Sequence, residues 1–555
     1  MPTVTLNRQV VEKLVGKRLS PEQWKDRISM LGTDLERIDE KEIVVEIFPN
    51  RPDMLSEQGF ARALATFVGS RRGLKEHSTK KSGQKVIIEK SVETVRPYTV
   101  TAIVKNLHFT DERIKEVIQI QEKLHITYGR RRRKCAIGIY PLEKISFPIT
   151  YRAKRPEDIH FIPLGFQEKL SAKQILEQHP AGKEYGSLLN QQPLYPIFQD
   201  AKGEILSMPP IINSQCVGQV TEETREVFIE CSGFDFAVLE KCLHILVTAL
   251  ADMGGELYSM ELQYPQEEKS TPHLQPTPMK LDVAYVNRIL GLSLQEKEVQ
   301  HCLEQMGYGY REGSVLIPAY RADILHPIDL VEDIAIAYGF ERFHEEIPKV
   351  STIGAELPFE RFKRKIAELL LGLGFLELNT YHLIPRELQT TKMCLQGNPV
   401  VILDPVSTEY NTLRMSMLPS LLQVLQWNKT REFPQKLYDV GVVFTKEADT
   451  ETGVKETVML GVAVSHSKAG FTEMKQVMEY FFQILHLSYV LADTEETGFI
   501  QGRVGKVSAG GREMAVLGEV HPQVLEQFGL EMPVVVMEIN VESIFALLEE
   551  QGIRD

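Results

Sequence analysis

The sequence predicts an α+β fold spread over several domains, and three observations predict it. Its 555 residues exceed what one hydrophobic core supports, so three or four domains are expected. Segments with helical spacing and segments with strand character are mixed along the chain. A Pro-rich break, STPHLQPTP from Ser270, divides the chain where its pattern changes. Hydrophobic and charged fractions of 43% and 25% are ordinary for a soluble protein, and no apolar run is long enough to span a bilayer. The opening MPTVTLNRQVVEKL lacks a basic leader with an apolar core, so a cytoplasmic location is expected.

The first domain, residues 1–85, carries a helix signal from Ser20 through Leu31 and a strand at Ile43 to Phe48. Ser56 caps a further helix whose Phe60, Leu64, Phe67 and Val68 follow helical spacing and form its buried side. The polar, Lys/Ser-rich stretch Lys75 to Lys85 reads as a linker. In residues 86–269, strands are expected at Tyr98 to Lys105, Cys135 to Tyr140 and Val227 to Cys231. Helices are expected at Asp111 to Leu124 and Phe236 to Met253, which makes a second α+β domain.

Residues 270–345 form the next unit. Ser293 and Glu296 match a capping box for a helix through Met306, and Val315 to Ile317 is a short strand. Two helices and a strand resemble a winged nucleic-acid-binding module. Six Lys/Arg against eleven Asp/Glu between Met279 and Glu345 are the wrong balance for phosphate binding, so metal or protein contact is the expected role. In residues 346–555 a long amphipathic helix, Phe359 to Leu373, precedes strands at Leu376 to Leu383, Lys436 to Phe444 and Val458 to Ser465. A helix at Thr472 to Leu485 and a strand at Val534 to Ile539 complete this domain. It shows no Walker loop and no GxGxxG, and the chain has no fixed internal repeat.

The stretch YRADILHPIDLVEDIAIAYGF, Tyr320 to Phe340, gathers four carboxylates. Pro327 suits a first helical position and Gly339 a stop, so Ile328 to Tyr338 is one short helix. Leu330, Ile334 and Ala337 share its apolar face, while Asp329, Glu332 and Asp333 fall three and four apart on another, with Asp323 just upstream. Four hard oxygen ligands make a seat for Mg²⁺; acidic residues in a first turn also simply complement the helix dipole. The net charge of −13 disfavours general adhesion to polyanions. Local basic concentrations remain at GRRRRK, Gly129 to Lys134, and at Arg71, Arg72 and Lys75. The six cysteines, Cys135, Cys216, Cys231, Cys242, Cys302 and Cys394, show no CxxC pair and no His at zinc spacing, so they are expected reduced and mostly buried.

Several blocks in order along the chain resemble the β subunit of phenylalanyl-tRNA synthetase of the archaeal and eukaryotic cytosolic kind. They are FPNRPDMLSEQGFARAL, GRRRRKCAIGIYPLEKI, ILEQHPAGKEYGSLL, PPIINS, FIECSGFD, the acidic segment above and LDPVSTEYNTLRMSMLPSLL. The resemblance implies an α2β2 heterotetramer in which the α subunit activates phenylalanine with ATP and charges tRNA. It further implies a class II synthetase-like C-terminal domain without its own active site, and a middle domain that edits mischarged tyrosyl-tRNA. A hydrophobic synthetic pocket cannot strongly reject an isostere that only adds a hydroxyl, so a second site that bonds that hydroxyl corrects the error.

Asn213, Ser214, Glu230, Ser232 and Gly233 are the implied editing pocket. Glu230 or Asn213 would read the phenol or the amino group, and Ser232 with backbone N–H groups would orient water and hold the oxyanion. Ser232 stands where relatives are expected to carry threonine, and the hydroxyl is retained. Asn and Ser equally often cap turns. The resemblance also implies Mg²⁺ at Asp323, Asp329, Glu332 and Asp333 near the α subunit. Arg130 to Lys134 are expected at an RNA contact, and Arg414 in a fold-stabilising or interface role. Cys231 has no His to make it a nucleophile and reads as packed. Two other classes compete: a free-standing aminoacyl-tRNA deacylase, and a nucleic-acid-binding scaffold without catalysis.

Overall fold

In the computed structural model, which describes residues 2–347 and 354–552, the mixed pattern resolves into two units, Met1–Ile347 and Pro348–Asp555. The first unit begins with a three-stranded antiparallel sheet, ordered Thr3–Asn7, Glu42–Glu46, Asp34–Ile38. Helix Pro21–Met30 starts at a capping box, with Ser20 Oγ accepting from Gln23 N and Gln23 returning to Ser20 N. Ser56 caps helix Glu57–Phe67 by accepting from Gly59 N, and Phe60, Leu64, Phe67 and Val68 are buried as their spacing predicts.

The largest sheet has ten strands. Its path runs Ile212–Asn213, Ile205–Met208, Tyr195–Gln199, Ile149–Lys154, Thr79–Ile88, Glu256–Gln263, Tyr98–Lys105, Val227–Gly233, Cys135–Pro141, and Glu268–Thr271 pairs with Glu256–Gln263 off that path. The stretch read as a linker is corrected here, because Thr79–Ile88 is the middle strand of this path. It pairs in parallel with both neighbours, Glu256–Gln263 and Ile149–Lys154. Its polar residues are strand side chains: Ser82 Oγ donates to Ser259 O at 2.7 Å and Lys80 Nζ to Glu256 at 2.6 Å. Composition alone reported polarity, and the backbone pairing came from a strand far off in sequence.

Period-two alternation gives this sheet two apolar faces. Val100, Ala102, Val104, Ile137, Ile139, Val227 and Ile229 pack with helices Asp111–Ile126 and Phe236–Asp252. Ile103, Phe228, Tyr140, Tyr151 and Phe198 face a second cluster. The sheet curls until its two terminal strands approach, so that the Tyr140 hydroxyl, on the last strand, lies 3.3 Å from Asn213 Oδ1, on the first. That unpaired seam holds the cavity described below.

The 270–345 segment forms a three-stranded antiparallel sheet, ordered Thr277–Lys280, Ser314–Ile317, Gly309–Arg311, with helices Val283–Leu290, Glu296–Gln305 and Pro327–Tyr338. The capping box lies two residues later than Ser293 and Glu296 suggest: Gln295 N donates to Glu298 Oε2 at 2.8 Å. The acidic helix starts at Pro327 and is closed by Gly339, whose φ of 98° an L side chain rarely adopts.

The second unit is a seven-stranded sheet, ordered Leu376–Glu377, Gln435–Lys446, Val454–Ser465, Val534–Asn540, Arg512–Val520, Phe499–Ala509, Val490–Asp493. Helices Pro358–Gly372, Phe471–Ile484 and Val541–Glu550 cover one face, and Leu418–Trp427 and Pro522–Phe528 the other. The expected single strand Leu376 to Leu383 is instead two short ones in different sheets. Between them Thr380 N donates to Asp439 Oδ2 at 3.1 Å, a side-chain acceptor that diverts the backbone from the ladder. No helix among the described residues is long and apolar enough to cross a membrane.

Candidate functional site

The seam encloses a cavity of about 310 Å³. Helix Asp111–Ile126 supplies Ile114, Val117, Gln121, Glu122 and His125 to one wall. Strand Cys135–Pro141 supplies Ile137 and Ile139, and the Pro209–Asn213 segment closes the opposite side. The walls are chiefly aliphatic. Polar groups enter at Ser207, Asn213, Glu230, Glu122, His125 and Arg132.

Glu230 lies in the strand Val227–Gly233 and is 2% exposed. Its Oε1 accepts from Tyr140 at 3.1 Å and from Ser207 at 3.4 Å, while Oε2 is buried without a partner. Burial pushes this carboxyl up to about 8, against the Tyr140 hydrogen bond and the positive charge of Arg96, which favour the charged form. At neutral pH Glu230 is therefore mostly protonated, a carboxylic acid that both donates and accepts. Burial beside Glu230 also holds the Tyr140 phenol well above its usual range. Gly138, register partner of Glu230, makes room for this pair, since a Cβ there would sit 2.2 Å from the Tyr140 hydroxyl and 2.5 Å from Glu230 Oε1.

His125 invites a general-base role and is not free for one. Its Nε2 accepts the Ile137 N–H at 2.8 Å, so the ring proton sits on Nδ1, 3.1 Å from Glu122 Oε1. Burial lowers its pKa, with Glu122 opposing. Glu122 Oε1 also accepts from Arg132 at 3.0 Å.

Of the expected pocket residues, Asn213 and Glu230 line the cavity. Ser214, Ser232 and Gly233 stand outside its lining. Ser214 Oγ accepts from Cys216 N at 3.3 Å and holds the turn. Ser232 is buried, and its Oγ accepts from Arg96 Nε at 3.1 Å. Gly233 permits close packing, because a Cβ would lie 2.1 Å from Lys134 O. Tyr140, Ser207, Glu122 and His125 escape sequence reading, and Arg132, expected with its neighbours at an RNA contact, lines the cavity; the one local signal was Gly138 inside a strand pattern, a mark of close approach. Cys231 is buried beside Cys135, with its thiol held well above the usual range by burial, as a packed residue requires.

The four acidic residues of the second constellation do not converge on one point: two share one arginine, one caps its own helix and one faces solvent. Arg321 donates through Nε and Nη2 to Asp323 at 2.9 and 2.8 Å, and through Nη2 to Asp333 at 2.7 Å; Asp333 also takes the Tyr308 hydroxyl. Asp329 accepts from Leu325 N and His326 N at 2.8 and 2.7 Å, and Glu332 is exposed. The expected common Mg²⁺ seat is therefore not assembled by this chain alone, and no group of three or more His, Cys, Asp or Glu among the described residues is set to hold a metal. A buried guanidinium has taken two of the carboxylates.

In the second unit Arg414 is 1% exposed. Its Nε donates to Val442 O at 2.8 Å and its Nη1 to Thr380 Oγ1 at 2.6 Å, so it ties the strand Gln435–Lys446 to the connection that carries Thr380.

A model of the phenylalanyl tRNA synthetase beta chain CLM domain matches residues 344–541, and one of the tRNA synthetase B5 domain matches residues 279–340. The chain is 40% identical over 553 residues to the phenylalanine–tRNA ligase beta subunit of Archaeoglobus fulgidus, covering 98% of this chain and 99% of that one. It is 38% identical over 555 residues to the corresponding subunit of Pyrococcus abyssi, covering 98% and 100%. A crystal structure of an N-terminal fragment of the phenylalanyl-tRNA synthetase beta-subunit from Pyrococcus horikoshii, 36% identical, covers 61% of this chain and 100% of the fragment with a TM-score of 0.59.

Proposed function

The chain belongs to the family of phenylalanine–tRNA ligase beta subunits, and we propose that its seam cavity hydrolyses mischarged tyrosyl-tRNA while an α subunit charges tRNA with phenylalanine. The observation that carries this reading is the unpartnered Glu230 Oε2 in an otherwise aliphatic cavity. A phenol hydroxyl would satisfy it; phenylalanine would leave it unpaired, and a site built to bond a hydroxyl rejects the analogue lacking one far better than an apolar pocket rejects the converse. Asn213, 3.3 Å from the Tyr140 hydroxyl, is the second candidate reader.

The test uses this chain coexpressed with its α partner. Deacylation of tyrosyl- and phenylalanyl-tRNA is compared for wild type, Asn213→Ala and Glu230→Ala. Selective loss of tyrosine removal is expected in Glu230→Ala. A wild-type complex that charges phenylalanine but removes neither amino acid would overturn editing and leave family membership intact.

The remaining assignments follow from the same family. The domains are residues 1–85, 86–269, 270–345 and 346–555, with the strand from Thr79 belonging to the second. The three helices and three-stranded sheet of the third support a winged-helix-like module, and the helix-covered sheet of the fourth, antiparallel except at the edge strand Leu376–Glu377, supports a class II synthetase-like domain. ATP serves the holoenzyme, an α2β2 tetramer acting on the phenylalanine tRNA. Mg²⁺ at the acidic helix would use Asp329 and Glu332 with donors from outside this chain. Alanine at Glu332 is expected to lower Mg²⁺ bound by the assembled holoenzyme; equal metal content would remove the ion from this helix.

A further inference from the structure

Away from the seam, two arginines each carry a buried side-chain nitrogen without a hydrogen-bond partner, Arg62 at Nη2 and Arg321 at Nη1. They are 6% and 2% exposed, and both line one small cavity of about 20 Å³ inside the first unit. Arg62 comes from helix Glu57–Phe67 of the N-terminal domain, whereas Arg321 comes from the 270–345 segment, ahead of the acidic helix. The cavity lies where two parts of the chain meet, and each part supplies a donor to it.

Neither guanidinium is free to turn away. Arg62 Nη1 donates to Asp252 Oδ2 at 2.6 Å, and the group stacks 4.0 Å over the Tyr320 ring. Arg321 is fixed from its other side by Asp323 and Asp333. A buried donor left without an acceptor keeps its desolvation penalty, so an occupant that accepts from both nitrogens is favoured. The cavity exceeds the roughly 10–15 Å³ that one water needs and lies far below the roughly 300–1,000 Å³ of an organic-ligand pocket, so that occupant is a single small particle. Charge then selects its kind. Arg51, Arg62, Lys75 and Arg321 line the cavity against one acid, Asp53, whose two oxygens take Arg51 Nε and Nη2 at 2.9 Å each. The carboxylates that balance the other cations, Asp252, Asp323 and Asp333, hold them from outside the lining. Arg51 and Arg321 also stand close enough for their positive charges to oppose each other. Water would accept from the two arginines but turn its own protons toward cations, whereas a negative particle is attracted on every cationic side.

We propose that this cavity binds one monatomic anion of chloride size, held by Arg62 Nη2 and Arg321 Nη1, and that the ion fastens the N-terminal domain to the 270–345 segment. The two nitrogens meet only when those parts are docked, so the ion binds the folded chain and not the unfolded one. Its binding adds to stability by mass action, and the gain grows with the logarithm of the free anion concentration. The same ion turns the repulsion between cations on the two sides into attraction to a shared centre.

The test uses the α-complexed holoenzyme. Crystals grown with bromide in place of chloride are expected to show an anomalous-scattering peak between Arg62 and Arg321. Ordered density there without an anomalous signal means a water alone and overturns the proposal. In solution, chloride is exchanged against glutamate at constant total salt for wild type and for Arg62→Lys, which keeps a positive charge beside Asp252 and loses the guanidinium fork. The melting temperature of wild type minus that of the variant is expected to grow by about 2 °C for each tenfold rise in chloride above its dissociation constant. An equal response in both proteins is a general salt effect and overturns the proposal. A bromide peak without that growing difference makes the ion adventitious only and overturns it as well. If Arg62→Lys fails to assemble, Ala63→Val, which adds bulk at the cavity wall, is measured in its place with the same expectation.

Discussion

Glu230 ties the chemistry of the cavity to the stability of the protein. Its carboxyl releases a proton near 4.5 when solvated and near about 8 when folded, so between those values the folded state binds more protons and stability falls as pH rises. Glu230→Gln removes that dependence. The melting temperature of the variant minus that of wild type is therefore expected to grow from pH 5 to pH 8, by the equivalent of up to about 1.4 kcal/mol per pH unit. A flat difference would mean that Glu230 is ionised throughout. Glu116, also pushed up to about 8 by burial and the charge of Glu57, titrates in both proteins and cancels in the comparison. The sequence pointed to Glu230 and Asn213 through FIECSGFD and PPIINS, two of the blocks that carry the family resemblance, and the structure brings both to one cavity. It hid Tyr140, whose partner lies 90 positions away, and grouped Arg132 with a surface basic run although one of its partners lies 79 positions away. Arginine in a basic run looks like surface until a structure shows where its turn points it.

The acidic helix shows what can and cannot be read at the level of an element. Its limits were legible, since Pro327 and Gly339 act through local backbone geometry. The fate of its carboxylates was not, because it depends on how the chain folds back on Arg321, which is 2% exposed. Removing that guanidinium leaves the buried Asp333 and the half-buried Asp323 without their cation. Arg321→Ala is expected to destabilise the chain by roughly 3–5 kcal/mol in urea unfolding, the usual cost of breaking a buried pair from one side. A loss below about 1 kcal/mol would place the cluster among solvent-screened pairs. The slip in the capping box, from Ser293 to Gln295, has a similar origin: Asn287 bonds both the N–H and the C=O of Leu294, so the turn before the helix ends later than side-chain preference alone suggests.

For the whole molecule, a mixed α and β architecture in several parts was legible from length, periodicity and the Pro-rich break. That break runs from the end of the strand Glu268–Thr271 into the start of Thr277–Lys280, and the two strands belong to different sheets. Strand partnership was not legible, and the reading of Lys75 to Lys85 as a linker shows why: nothing nearby reveals that Ser82 meets Ser259, 177 positions onward. The middle strand of the largest sheet has a consequence for synthesis. Until the chain has grown past Gln263, Thr79–Ile88 lacks one of its two neighbours, and the sheet exists only as fragments with open edges. At roughly 5–20 residues per second, that wait lasts roughly ten to forty seconds for every polypeptide. Nascent chains stalled at residue 250 should be cut by protease within the middle domain and those stalled at residue 350 protected; equal protection would mean that the sheet closes without its central pair. A ribosome making this protein thus holds a long-lived, aggregation-prone intermediate, and chaperone supply during elongation, more than final stability, should set how much of it a cell accumulates.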